Sequence, residues 1–362
     1  MLANIINKSI TFNEGPLSGK SLHPLWLRER VSNERNLDQN NFQRLYESSL
    51  LDQNISIKSF SQDENFLRIT FSDGEVENFL IEDLINEINQ KNFIPSKIPW
   101  QENIEKLPYN NYENFKYSSD LTIKMLEDFH QLGFVIITHL PKEEGTVINF
   151  AESMGPVRAT NFGKFFDVIS KPKPNDLAYT ALGLSAHTDN PYRKPVPGIQ
   201  LLHCITNEAE GGNSTLVDGL AVSNYLEKNE KVFFDILTST EILFRFTDKD
   251  VILENWGKLI ELDSNNNFKQ IKFSGRLDYV PLLDPEYLSI FFRARKRLFE
   301  LCSSKDFVIN FRLESGMLVM FDNHRLLHGR TKYDPSTGNR HLQGCYIEHD
   351  ATEGKLRRLL IK

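Results

Sequence analysis

Cysteine is scarce in this chain of 362 residues. Cys204, Cys302 and Cys345 lie far apart and never in Cys-x-x-Cys spacing, which excludes a disulfide scaffold and a cysteine-clustered zinc site. Reduced thiols are the expectation, and with them a cytoplasmic location. No run of about 18 apolar residues occurs, so no membrane-crossing helix is expected; the first residues also lack the basic-then-apolar pattern of an export signal. Nor is there a Lys/Arg-rich block. With 42 basic against 49 acidic residues the formal charge is −7, which argues against nucleic acid as a partner. Proline (15) and glycine (19) are too few for a fibrous or disordered chain. A composition of 40% hydrophobic and 25% charged residues is that of a globular protein, with length for about two domains.

The first hundred residues carry short alternating segments. Phe66 to Phe71, the turn Ser72-Asp73-Gly74-Glu75 and Val76 to Phe79 read as a hairpin, because Asp-Gly supplies the positive φ angles that such turns need. Leu80 to Gln90 returns to helical spacing. A proline-punctuated stretch, Pro95 to Trp100, marks a boundary: residues 1–100 form a small β-rich domain and 101–362 a second domain. In the latter, Ser119 or Asp120 caps a helix ended by Gly133, a buried strand follows at Phe134 to Thr138, and a second helix covers Glu143 to Met154. Helices are also expected at 221–239 and 284–303, and closing strands at Phe307 to Arg312, Gly316 to Phe321 and Arg340 to Ile347. Many short strands with few helices between them indicate an antiparallel sandwich or jelly roll, mainly β with helices.

Two segments carry chemistry. One contains His187-Thr188-Asp189; the other is Met320 to Arg330, with His328 near its end. Two imidazoles and a carboxylate form the facial ligand set of a non-haem iron centre, leaving positions open for a bidentate co-substrate and dioxygen. On one extended strand, His187 and Asp189 point to the same side. A His-x-Asp triplet alone is a weak signal. Arg340, downstream of His328, strengthens it, since a guanidinium pairs bidentately with a carboxylate of a co-substrate held at such an ion.

Longer runs extend the pattern. His187 to Tyr192, Pro197 to Cys204, Gly211-Gly212-Asn213-Ser214 with Val217-Asp218-Gly219, Phe321 to Arg330, and Arg340 to Tyr346 together resemble the gamma-butyrobetaine and trimethyllysine dioxygenase family. The resemblance covers roughly residues 120–350. It implies a double-stranded β-helix, Fe(II) on His187, Asp189 and His328, and 2-oxoglutarate and dioxygen as co-substrates. Arg340 would hold the distal carboxylate of 2-oxoglutarate, supported by Ser214. Pro24 to Arg30 is similar to the family's small first domain, but the cysteines that hold zinc in many members are missing, so no zinc is expected. A homodimer is implied.

For the substrate, the resemblance implies an aromatic enclosure of a trimethylammonium group, matching Phe162, Phe166, Tyr179 and Tyr346, with Tyr192 beside the iron ligands and Asp176 adding a negative charge. Arg276 departs from the family, standing near an Asn that contacts the substrate carboxylate in carnitine-forming members. A guanidinium there suits a doubly charged anion. The expected activity is hydroxylation of a small quaternary ammonium compound bearing an anionic group, with 2-trimethylaminoethylphosphonate as leading candidate. Gamma-butyrobetaine and a trimethyllysine-like substrate are the alternatives within the class. A metal-dependent hydrolase and a non-catalytic sensor are the alternatives outside it.

Overall fold

The computed structural model describes residues 3–6, 8–89, 92–169 and 180–361. Its contacts divide the chain into two compact units, Met1–Asn92 and Phe93–Lys362. Residues from Phe93 therefore belong with the second unit, where the sequence put the boundary at 100. Trp100 shows why: its backbone N–H donates to the Asp218 carboxylate at 3.0 Å, its indole N–H donates to the Leu132 carbonyl, and its ring packs on Phe134.

The first unit holds two three-stranded antiparallel sheets, Ala3–Ile6, Ser9–Phe12 and Ser21–Leu22, and Ile57–Gln62, Phe66–Phe71 and Val76–Leu80, followed by the helix Ile81–Ile88. The hairpin at Asp73-Gly74 forms as its turn chemistry requires, with Gly74 at φ 94°. The strand Ile57–Gln62 was not read from the sequence. Within this unit, the buried Arg28 donates to Asp73 at 2.7 Å and to Asn36 at 2.9 Å, while Asn36 and Asn33 both donate to Glu75. This polar knot ties the loop after Arg28 to the hairpin. A buried guanidinium is tolerable there because its donors are met.

Two antiparallel sheets build the second unit into a jelly roll. One has the strand order Leu184–His187, Leu326–Arg330, Ser214–Asp218, Val308–Phe311. The other runs Tyr109–Asn111, Phe134–Thr138, Leu318–Asp322, Ile199–Asn207, Arg340–Ile347, Phe166–Val168, its first pair being parallel. Side chains alternate across a strand. Phe134, Ile136, Val319, Phe321 and Leu342 thus meet Leu216, Ile309, Phe311 and Leu326 between the sheets. Their neighbours Val135, Ile137, Leu318, Met320, Cys345 and Ile347 face outward, under the helices Ser119–Leu132, Thr146–Met154 and His349–Leu360. Strands covered on both faces read as continuous apolar runs, which is why Phe134 to Thr138 is legible.

The helices depart from expectation in detail. Ser118, one residue earlier than expected, caps Ser119–Leu132 by accepting from Leu121 N–H, and Gly133 ends it in the left-handed region at φ 82°. The span 221–239 is two helices, Gly219–Asn229 and Lys231–Ser239, broken at Glu230. With Pro285–Cys302 they cover the outer face of the four-stranded sheet. Strands at Glu241–Thr247, Ile252–Lys258, Ile260–Leu262 and Phe268–Ile271 form an insertion that the sequence reading left undescribed.

Candidate active site

Strand register brings the two histidines together. His187 and His328 are direct cross-strand partners, their rings 4.3 Å apart. The strand ends at His187, so Asp189 does not sit on it as expected but in the turn that follows. That turn is pinned twice. Thr188 N–H donates to the Phe273 carbonyl at 2.8 Å and its hydroxyl accepts from Phe273 N–H at 3.0 Å. The fully buried Asn323 then accepts from Asp189 N–H at 2.8 Å and donates to the Asp189 carbonyl at 3.0 Å and the Pro197 carbonyl at 2.9 Å. Asn190 takes φ 54°, a left-handed conformation that Asn tolerates, and this turns the chain away.

The three side chains converge. Asp189 Oδ1 lies 3.5 Å from His187 Nε2 and 3.8 Å from His328 Nε2, and among the described residues these three form the only cluster with metal-ligand spacing. The Ser185 carbonyl, 2.9 Å from His187 Nδ1, can only accept, which fixes the ring with Nε2 toward Asp189. Burial, with His187 alongside, pushes His328 down to about 3, so its imidazole is neutral at physiological pH. Burial works against the Asp189 charge, but His328, His187 and the Tyr346 hydroxyl hold its carboxyl well below the usual range. Two imidazole nitrogens and a carboxylate facing one another form a donor set that a divalent cation fits.

A cavity of about 990 Å³, including its mouth, opens over this cluster. Arg340 lines it from the strand Arg340–Ile347 and is only 9% exposed. Its guanidinium lies 5.4 Å from the Tyr333 ring, and its buried Nε has no hydrogen-bond partner among the described residues. Burial and the neighbouring Arg330 lower it to about 10, still charged at neutral pH. Gly212 leaves room for this side chain: a Cβ there, at φ 68°, would stand 3.1 Å from Arg340 Nε and 3.2 Å from Tyr333 Cβ. Ser214 lines the same cavity, with Arg330 as its cross-strand partner.

Phe162, Phe166, Tyr192, Arg276 and Tyr346 also line it. Phe166 packs on Tyr346 with ring centroids 5.4 Å apart, and Tyr192 stacks on Phe246 at 5.0 Å, with Phe162 edge-on to Phe246. Asp176 and Tyr179 lie outside the described residues. The sequence missed Arg330, which donates to the carbonyls of Thr180 and Leu182 at 2.7 and 2.8 Å; its place two residues after His328, on the same strand face, was the available signal. It also missed Gln200 and Ser274 in the cavity wall, each with a buried side-chain oxygen that has no partner among the described residues. Such atoms cost free energy unless a ligand meets them.

Comparison with known proteins agrees with this geometry. A profile of the taurine catabolism dioxygenase TauD, TfdA family matches residues 101–346. The gamma-butyrobetaine dioxygenase of Pseudomonas sp. (strain AK-1) is 34% identical over 267 residues, 74% of this chain and 69% of that enzyme. The Homo sapiens gamma-butyrobetaine dioxygenase is 32% identical over 358 residues, 94% of this chain and 92% of that enzyme. The trimethyllysine dioxygenase of Meyerozyma guilliermondii is 28% identical over 265 residues, 71% of this chain and 66% of that enzyme. This chain is a dioxygenase of the TauD, TfdA family, in the group of the gamma-butyrobetaine and trimethyllysine dioxygenases.

Proposed function

We propose that the protein is an Fe(II)- and 2-oxoglutarate-dependent hydroxylase of a small quaternary ammonium compound carrying an anionic group. The observation that carries this reading is one cavity holding both the His187, Asp189 and His328 donor set and a buried Arg340 that has no counter-ion among the described residues. Iron bound at the triad, with 2-oxoglutarate and dioxygen, supplies the oxidising power to hydroxylate an unactivated C–H bond. The chain's own part is placement. His187 and His328 present imidazole nitrogens, Asp189 a carboxylate on a backbone held by Asn323, and Arg340 a fixed fork for the far carboxylate of the 2-oxo acid, with Ser214 beside it.

The aromatic rings of Phe162, Phe166, Tyr192 and Tyr346 offer negative faces to a methylated ammonium group, which cannot donate ordinary hydrogen bonds. Arg276 supplies positive charge for the substrate's other end and favours a dianion, making 2-trimethylaminoethylphosphonate the leading candidate. Gamma-butyrobetaine is the second reading, favoured by the names of the relatives at 34% and 32% identity. We further place the enzyme in the cytoplasm as a homodimer, which sedimentation equilibrium would check. Succinate release under oxygen, measured over a panel of quaternary ammonium phosphonates, carboxylates and amino acids, tests the assignment. Release with the phosphonate ahead of gamma-butyrobetaine is expected; release with none of the panel would reject the substrate class.

A further inference from the structure

Tyr346 belongs to both halves of the cavity. Its ring packs on Phe166 in the aromatic wall, the planes tilted by 33°. At the other end of the same side chain, its hydroxyl donates to Asp189 Oδ2 at 2.7 Å. That bond leaves Asp189 Oδ1 as the atom facing both histidine nitrogens. The terminal torsion of a carboxylate is soft, so without a partner either oxygen could face the ion. The phenol decides which does. Tyr346 is 4% exposed and fixed in the strand between Cys345 and Ile347, with Asn190 also close to its hydroxyl.

A cation seated on the ring face draws on the π electrons of the tyrosine. The same withdrawal makes the phenolic O–H a stronger donor, and charge-assisted hydrogen bonds respond strongly to such changes. We propose that Tyr346 is a positioning residue that couples the aromatic wall to the metal ligand: occupation of the wall by a cation tightens the phenol's hold on Asp189 Oδ2 and thereby alters how Oδ1 meets the ion. This rests on the hydroxylase reading above. Ligand-field changes at the metal on substrate binding then have a short route, a ring-face contact and one hydrogen bond joined by a single side chain, from the cation to Asp189.

The test is spectroscopic and anaerobic. The protein is titrated with Fe(II) and then 2-oxoglutarate, and the visible charge-transfer band is followed on adding 2-trimethylaminoethylphosphonate or gamma-butyrobetaine. In the unaltered protein the band appears and shifts. Tyr346→Phe keeps the ring and removes the hydroxyl: Fe(II) affinity falls about tenfold, the size expected for losing a partner of a metal ligand. The band remains, and its shift is lost even where calorimetry shows the cation bound. Phe166→Leu does the reverse, weakening cation binding while keeping the shift at saturation. A Tyr346→Phe variant with unaltered iron affinity and an unaltered shift would overturn the proposal. Absence of any band in the unaltered protein would overturn the hydroxylase reading and this inference with it, so the two failures are distinct.

Discussion

Asn323 brackets Asp189, its carboxamide meeting both the N–H and the carbonyl of that residue while also reaching the Pro197 carbonyl. Asp189 sits in a turn rather than a strand, so no ladder of backbone bonds holds it; Asn323 does that, beside the bonds of Thr188 to Phe273. Asn323→Asp keeps the size and one acceptor but loses the two donated bonds and adds a negative charge beside the ligand set. Loss of buried hydrogen bonds of this kind costs about 1–3 kcal/mol. The expected outcome is a drop in Fe(II) affinity of about ten- to a hundredfold with a lowered melting temperature, measured by anaerobic calorimetry and thermal unfolding. Unchanged metal affinity would show that Phe273 and the strand suffice to place the turn.

Arg340 and Gly212 make a second testable pair. Arg340→Ala should raise the 2-oxoglutarate requirement far more than the iron requirement, since a charge-assisted bidentate pair is worth roughly 1.5–3 kcal/mol, or about ten- to a hundredfold. Gly212→Ala should move the same parameter in the same direction. Its added Cβ crowds Arg340 Nε at 3.1 Å and Tyr333 Cβ at 3.2 Å, and φ 68° disfavours any residue with a Cβ. Titration of each variant with 2-oxoglutarate in the presence of saturating Fe(II) separates the two requirements. A Gly212→Ala variant that loses iron and co-substrate equally would mean that the turn supports the whole sheet rather than the guanidinium.

How far the sequence carried depends on whether a feature is local. The ligand residues, Arg340 and the strands Phe134–Thr138 and Arg340–Ile347 were legible, because residue type, spacing and apolar runs are local signals. Asn323 was not singled out even though it lies within a quoted run: its importance comes from facing Asp189 across the fold, a tertiary fact. The same holds for Gln200 and Ser274, ordinary polar residues until burial strips them of water. Placing Asp189 on the strand failed because the period-2 rule assumes that the strand continues, and the bonds of Thr188 to Phe273 end it. Reading 221–239 as one helix failed because Glu230 is no helix breaker by type; only its φ of −140° reveals the joint.

Acid stability offers a third outcome. His203 is fully buried on the strand Ile199–Asn207; among the described residues neither ring nitrogen makes a well-formed hydrogen bond, and only the Pro141 backbone favours the charged ring. Burial, with His341 nearby, pushes it down to about 4. The unfolded chain takes up a proton near pH 6.5 that the folded protein refuses until about pH 4. Stability conferred by keeping this histidine neutral is therefore present above pH 6.5 and lost as pH falls through that window. His203→Met, which cannot titrate, should reduce the slope of unfolding free energy against pH by up to about 1.4 kcal/mol per unit between pH 6 and 4.5. Urea unfolding at several pH values measures it, and a slope unchanged by the substitution would mean that the ring is protonated in the fold.

The two ends of the substrate can be separated with internal controls. If Arg276 reads the anion, Arg276→Ala should weaken a phosphonate more than the matching carboxylate, because a dianion gains more from a fixed guanidinium. If Phe166 belongs to the cation wall, Phe166→Ala should weaken the trimethylammonium compound more than its primary amine analogue; the amine is better solvated and depends less on ring faces, and the wall contributes about 0.5–2 kcal/mol per ring. Each comparison is made within one variant, so a general loss of folded protein scales both compounds alike and cannot imitate the difference. The measurement is the ratio of kcat/KM values for the paired compounds, followed by succinate release. A phosphonate-to-carboxylate ratio unmoved by Arg276→Ala would leave that residue a structural one and move the favoured substrate to gamma-butyrobetaine.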